Sequence, residues 1–259
     1  MKDDLRRALD FENGIRERCT TRLERFEWGT ALFNSDLSHV WDLNYLRADD
    51  SLRSATADTL VAEADRLLGD AGHTHRQIDV DDEQEALRLA PGFLAAGWAA
   101  FRAVYMVLRR EPDRRSEPVA EQVSWEELRP TVEAQTRLEP FATTEEVVQQ
   151  LLDRRPLEAE ATHLRHFGAR IDGRIVSYCD LYSDGETAQI EDVATLEEYR
   201  NRGLARAVVR AAVDTALREE HDFAFIVADE DDWPKALYAR LGFHLVGTIC
   251  TFRKTPEAE

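Results

Sequence analysis

The chain has 259 residues, enough for one large domain or two small ones with a real core. It is 43% hydrophobic and 32% charged, a soluble globular composition, and its net charge of −18 argues against tight non-specific binding to nucleic acid. Cys19, Cys179 and Cys250 are far apart with no C-x-x-C pair, which argues against a disulfide framework or a zinc site and fits a reducing compartment.

Asp3–Arg18 reads as an amphipathic helix on Leu5, Leu9 and Ile15, behind an amino terminus with no apolar signal-peptide core. Thr20–Asn34 is strand-like around Trp28-Gly29, and Val40–Leu46 makes a second short strand. Ala55–Leu68 is helical on Ala57, Leu60, Val61, Ala64, Leu67 and Leu68, with Gly69 as its stop. Gln77–Val80 is a strand, and Glu83–Ala90 a helix ended by Pro91-Gly92. The apolar run Pro91–Leu108 is interrupted by Gly97 and Arg102 and is short for a membrane span, so Phe93–Leu108 reads as buried strand or hairpin. The expectation is a cytoplasmic protein with no membrane partner. Arg109–Pro118 is charged, carries two prolines and reads as a linker.

Beyond it, Trp125–Gln135 and Thr144–Leu152 read as helices, the second with a threonine cap and acid in its first turn. Arg165–Ile171 and Arg174–Ser183 flank Asp172-Gly173, a hairpin turn signal. Thr187–Thr195 is a strand, followed by Arg200-Asn201-Arg202-Gly203-Leu204-Ala205 and then a helix to Glu220 on Ala205, Val208, Val209, Ala212, Val213, Ala216 and Leu217. A strand Phe223–Ala228, a helix Pro234–Leu241 and a strand His244–Arg253 complete the chain. His163, His166, His221 and His244 have no metal-ligand spacing, and no metal is expected.

The loop at 200–206 carries most of the functional information. A glycine at a helix start lets backbone N–H groups approach a ligand, and those groups sit at the positive end of the helix dipole. Arg200, Arg202 and Arg206 add charge suited to a phosphate. The pattern Arg-x-x-Gly-x-Ala between strand and helix resembles the pyrophosphate loop of the GNAT acetyltransferase superfamily. The closing segment, Asp231-Asp232-Trp233-Pro234-Lys235-Ala236-Leu237-Tyr238-Ala239-Arg240-Leu241-Gly242-Phe243, resembles that superfamily's Asn-x-x-Ala-x-x-Leu-Tyr-x-x-x-Gly-Phe. Asp231 replaces the usual Asn and Pro234 the usual Ala, which puts a cofactor contact at Asp231 in doubt. The order of two helices, three strands, helix, strand, helix, strand over 119–253 is also the superfamily's.

The resemblance implies an α/β (α+β) GNAT fold with a mixed central sheet flanked by helices. It implies acetyl transfer from acetyl-CoA to the amine of a small acceptor by direct attack. Cofactor contacts then fall on Val193, Ala194, Thr195, Arg200, Asn201, Arg202, Gly203, Leu204, Ala205 and Arg206, with the backbone N–H of Val193 polarising the thioester carbonyl. Tyr238 matches the family's tyrosine, an acid for the departing thiolate. Glu191 and Asp192 point to opposite faces of their strand, so one of them can face the acceptor as base, and a bulge could switch which. Glu191 is preferred. The alternatives are a non-catalytic acyl-CoA-binding or regulatory module and, disfavoured by the acidity, aminoacyl transfer from charged tRNA.

Asp79–Gly97 can also be laid without gaps on Asp229–Gly247, with Asp79/Asp229, Asp81/Asp231, Asp82/Asp232, Ala86/Ala236, Leu87/Leu237, Gly92/Gly242, Phe93/Phe243 and Gly97/Gly247 identical. This predicts a tandem chain: a degenerate GNAT-like unit over 1–112, a linker over 113–118 and a catalytic unit over 119–259. At the same shift Asp50-Ser51-Leu52-Arg53-Ser54-Ala55 falls on the phosphate loop with no glycine, and Arg88 falls on Tyr238. The first unit is therefore expected to bind no CoA. Partners are limited to acetyl-CoA and the amine, and the reading allows a homodimer.

Overall fold

The structure is a computed structural model describing residues 2–49, 51–110, 119–231 and 234–255. The described residues pack into two compact units. One comprises 2–49, 51–104, 229–231 and 247–255; the other comprises 105–110, 119–228 and 234–246.

In the first unit, helix α1 (Lys2–Arg18) precedes a hairpin of β1 (Arg22–Phe26) and β2 (Gly29–Phe33). Val40–Leu46 is not one strand. Trp41–Leu43 forms a 3-10 turn and the strand is β3 (Tyr45–Ala48). The buried Asn44 explains the shift. Its amide nitrogen donates to the carbonyls of Leu37 and Val40, and its amide oxygen accepts from Asn34 N–H, which holds the segment as a loop.

Helix α2 (Ala57–Asp70) runs past Gly69, and Gly72 ends it instead, at φ 83°, a conformation glycine adopts without penalty. After β4 (Arg76–Val80), helix α3 (Glu83–Ala95) is capped by Asp82 and continues through Pro91. Phe93 and Trp98 lie in the core beside Ile78, Leu60 and Phe252, so burial of that face outweighs the one N–H that proline removes. Strand β5 (Ala99–Leu108) follows. The linker expectation at 113–118 lies outside the described residues. Here β3 and β4 pair in parallel, β1, β2 and β3 pair antiparallel, and the far end of the chain's last strand pairs antiparallel with β4, Cys250 against Val80 through Lys254 against Arg76.

In the second unit a short strand not anticipated from the sequence, β6 (Glu121–Val123), pairs with β7 (His163–Ile171). Between them come α4 (Trp125–Thr136), with a Ser124–Glu127 capping box, and α5 (Glu145–Ala161), capped by Thr144. Helix α5 runs nine residues beyond the predicted Leu152, through Pro156. The hairpin β7–β8, with β8 spanning Arg174–Ser183, turns at Asp172 and Gly173, both at positive φ as a type I′ turn requires. Then β9 (Thr187–Thr195) leads through the loop to α6 (Leu204–Arg218), β10 (Phe223–Asp229), α7 (Pro234–Arg240) and β11 (Phe243–Lys254).

The strand order in this unit is β5-β10-β9-β8-β7-β6, with β9 and β10 parallel and the other β6–β9 pairs antiparallel. Helices α4 and α5 cover Ile175 and Tyr178 with Leu128, Val132, Val148 and Leu152, while α6 packs on β7, β8 and β9. The fold is mixed α/β throughout.

Candidate active site

The parallel partners β9 and β10 part company along their length. Their register runs from Thr187↔Phe223 to Ile190↔Ile226 and stops there, so Glu191–Thr195 has no partner in β10. On its other side the same stretch stays tied to β8 through Tyr178↔Ala194 and Ser177↔Thr195. Ser177 Oγ donates to the Ala194 carbonyl at 2.8 Å. Val193, Ala194 and Thr195 are thus half-buried on a strand whose β10 side has backbone groups to offer.

A bulge interrupts the β8–β9 ladder at the same place. Tyr178 faces Ala194 and Asp180 faces Glu191, so Asp192 and Val193 together stand opposite Cys179. Asp192 adopts φ 52°, where a bulge usually carries glycine.

The loop that follows makes one 3-10 turn at Glu197–Tyr199, passes Asn201 at φ 63° and reaches Gly203 at φ 78° as the N-cap of α6. Gly203 has no side chain to cap this helix, so its first N–H groups are left for a ligand or solvent to satisfy. Arg200 and Arg202 are exposed and brace the loop, Arg200 Nε donating to the Thr195 carbonyl at 3.3 Å and Arg202 Nη2 to that of Glu198 at 3.1 Å. Leu204 is buried and Ala205 half-buried, so both face the unit more than the loop. Arg206 is the informative residue. Its Nη1 is buried and finds no hydrogen-bond partner among the described residues. A buried guanidinium nitrogen left unsatisfied beside an uncapped helix start fits an anion such as a pyrophosphate.

The two carboxylates have different environments. Glu191 is half-buried and accepts a 2.9 Å hydrogen bond from Gln189 Nε2. Asp192 is gripped by the part of α5 that sequence reading left out. Arg154 Nη2 donates to its Oδ2 at 2.6 Å and Arg155 Nη2 to the same atom at 2.9 Å. Arg155 Nε also donates to Asp180 Oδ2 at 2.8 Å, and His166 Nδ1 lies 2.7 Å from Asp180 Oδ1.

Arg154 pairs further with Glu158, whose Oε2 accepts the Tyr182 hydroxyl at 2.8 Å. The rings of Trp125 and Tyr178 flank the Arg155 guanidinium at 5.6 and 5.8 Å. Burial pushes the Asp192 pKa up, but Arg154 and Arg155 outweigh it and hold the group at about 2. Burial pushes the Glu158 carboxyl above its usual range. Asp192 is thus held as an ion-pair partner of α5, and Glu191 is the second carboxylate beside the parted strands.

Tyr238 is buried on α7 with its ring edge-on to Phe243 at 6.4 Å. Gly242, between them, adopts φ 99°, and a Cβ there would collide with the Arg110 carbonyl oxygen. Asp231 is exposed, belongs to the first compact unit and places its N–H on Asp229 Oδ1. It is thus not gathered with the loop residues in one unit. The residues sequence reading missed are Arg154, Arg155, Glu158, Asp180 and His166. The one available signal was Asp153-Arg154-Arg155-Pro156, charged residues at positions that continue the helix.

The model of the "Acetyltransferase (GNAT) family" matches residues 125–243. No curated protein matches the chain in sequence. Among solved structures, a conserved protein of unknown function from Staphylococcus epidermidis superposes with a TM-score of 0.71 at 14% identity, covering 92% of this chain and 94% of its own. A GCN5-related N-acetyltransferase from Kribbella flavida gives 0.65 at 19% identity over 97% and 95%. A tandem GNAT protein from the clavulanic acid biosynthesis pathway gives 0.53 at 18% identity over 78% and 70%. At these identities the structures speak for the fold, and the family model speaks for the segment that holds the loop, the bulge and Tyr238: residues 125–243 match the GNAT acetyltransferase family.

Proposed function

We propose that the protein is an acetyl-CoA-dependent N-acetyltransferase acting on the amine of a small molecule. The observation that carries this reading is the pairing of β9 and β10 ending at Ile190↔Ile226 just before an uncapped helix start that holds a buried, unsatisfied Arg206 nitrogen. Those features supply backbone groups for an extended chain and a cradle for a diphosphate. The backbone of Val193–Thr195, the N–H groups of the loop at 200–205 and Arg206 would hold acetyl-CoA, which supplies an activated acyl carbon. Glu191 takes the proton that the attacking amine must lose, and the Tyr238 hydroxyl gives one to the sulfur as the C–S bond breaks. Tyr238 is then reprotonated from solvent.

The chain is read as a tandem with one working site. In both units a helix crosses between parallel strands, β3–α2–β4 and β9–α6–β10. In the first, β3 ends at Ala48, still paired to Val80, and the start of α2 is closed by a Thr56–Thr59 capping box. Arg88, at the position matching Tyr238, donates to the carbonyls of Ala55 at 3.0 Å and Leu52 at 2.8 Å. There β3 stays paired to β4 to its last residue and the helix start carries its own side-chain cap, so one CoA per chain is expected.

Calorimetric titration of acetyl-CoA tests both points. Wild type should saturate at one equivalent, and Gly203→Asp, checked for folding by circular dichroism, should lose at least about a hundredfold in affinity because a carboxylate faces the pyrophosphate. Unchanged affinity in the variant removes the site. Thiol release with a panel of amines then separates transfer from the alternative, an acyl-CoA-binding module without chemistry.

A further inference from the structure

Asp192 stands in the left-handed region at φ 52°, on a bulge between the two residues that the chemistry needs, Glu191 and Val193. A non-glycine residue there is strained by about 1 kcal/mol even for aspartate, which tolerates the region better than most. Something must hold it. Helix α5 supplies that hold through Arg154 and Arg155, both donating to the single oxygen Oδ2. Neither arginine is free to swing. Arg155 is only 6% exposed and is fixed a second time by Asp180, itself fully buried and held by His166. Arg154 pairs with Glu158, which Tyr182 fixes in turn. Because Asp180↔Glu191 is the cross-strand pair adjoining the bulge, the clamp reaches β9 from α5 directly and through β8.

The geometry points to a positioning role: we propose that the Arg154–Asp192–Arg155 clamp fixes the β9 bulge, and thereby sets where the Glu191 carboxylate and the Val193 N–H stand relative to the acceptor and the acyl carbon. The bulge exists to turn one extra residue inward. Without the clamp the ladder can revert to a regular pairing, and a one-residue slip exchanges the faces of Glu191 and Asp192. The arginines themselves do no proton transfer. They stay charged, and both their partners lie in the protein.

This inference rests on the acetyl-transfer reading for its catalytic consequence but not for its structural one, and the test separates the two. Hydrogen exchange of the peptide spanning 187–196 is compared in wild type, Asp192→Asn and Arg154→Gln, with no ligand present. Asparagine keeps the volume and tolerates the left-handed backbone, so a loss in Asp192→Asn reports on the charge pair rather than on strain. Both variants should exchange about tenfold faster there, while β7 and α6 keep their protection.

With an acceptor found by thiol release, both should lower kcat by about ten- to a hundredfold with the acetyl-CoA Kd within about twofold, since misplacement by an ångström is worth that much. The double variant should be no worse than the worse single one, because both break the same contact. Unaltered exchange at 187–196 in both variants overturns the proposal. So does Asp192→Asn flattening the rise of kcat/KM with pH while Arg154→Gln leaves turnover intact, because that pattern makes Asp192 the base. A wild type that binds no acetyl-CoA would sink the transferase reading, and the exchange data would still decide the clamp.

Discussion

Replacing Arg155 by methionine gives the sharpest energetic test of the second unit. Arg155 is a buried cation that offsets two carboxylates, the fully buried Asp180 and the partly buried Asp192. Asp192 sits at about 2 against an ordinary 3.8, and that depression, net of burial, corresponds to about 2 kcal/mol from the two arginines. Loss of Arg155 forfeits part of this and leaves the fully buried Asp180 facing His166 without the guanidinium that neutralised it. Breaking a buried pair from one side typically costs about 3–5 kcal/mol, and methionine fills most of the volume, so little of the effect comes from a cavity.

The loss should depend on pH in one direction. A carboxylate whose folded pKa is depressed stabilises above its unfolded pKa and loses that contribution as pH falls through the folded value. In wild type the Asp192 contribution therefore disappears between about pH 4 and pH 2. In Arg155→Met the Asp192 carboxylate loses one of its two cations and takes up its proton at higher pH, so the variant's deficit narrows as pH is lowered from 7 towards 4. The assay is urea denaturation followed by circular dichroism at pH 7 and 4.5, with hydrogen exchange of β8 peptides to locate the change. A deficit below about 1 kcal/mol at pH 7, or an equal deficit at both pH values, would refute the buried-charge account.

Other consequences concern both units. Phe252 is fully buried and stacks on Phe93 with centroids 4.1 Å apart, so Phe252→Ala should destabilise the first unit by about 3–5 kcal/mol, read as lost protection in β4 and α3 peptides. Burial, then Asp79 and Asp49, pushes the Asp81 carboxyl up to about 7, so its stabilising contribution is present below pH 3.8 and lost as pH rises through 7. Asp81→Asn should accordingly match wild type near pH 4 and exceed it in urea midpoint at pH 8; equal midpoints at pH 8 would count against the buried acid. Tyr238→Phe should lower kcat by about 10- to 1000-fold with acetyl-CoA affinity nearly intact, and an unaltered kcat would take the proton-donor role away from it. Glu191→Gln should weaken the rise of kcat/KM with pH; a raised KM with an unaltered profile would make the carboxylate an orienting group.

Much of this protein is written locally. The apolar spacing of α6, the Asp172-Gly173 turn, the Thr144 cap and the glycine at the start of α6 each depend on neighbours within a few residues, so sequence reading located them. The strand–loop–helix at 187–218 was legible for the same reason, since a helix start with a glycine N-cap is made by consecutive residues. Where reading stopped at a proline it stopped too soon. Both α3 and α5 continue through theirs, because core contacts formed by Phe93 and Trp98 in one case, and ion pairs of Arg154 and Arg155 in the other, outweigh one missing N–H.

The choice between Glu191 and Asp192 could not be made along the strand. Alternation puts them on opposite faces, and only a bulge can alter that. Whether a bulge forms depends on an ion pair between residues 37 or 38 positions apart in the chain. The last strand makes the same point: its residues read as an ordinary final strand, yet Cys250–Lys254 pairs with Arg76–Val80, some 170 residues earlier. Sequence alone determined the helix faces, the turns and the glycine that opens α6, whose energies are local. The tertiary structure decided that Asp192 is held by Arg154 and Arg155 and that Cys250–Lys254 pairs with β4, because those outcomes turn on charges and backbone groups that meet only after folding.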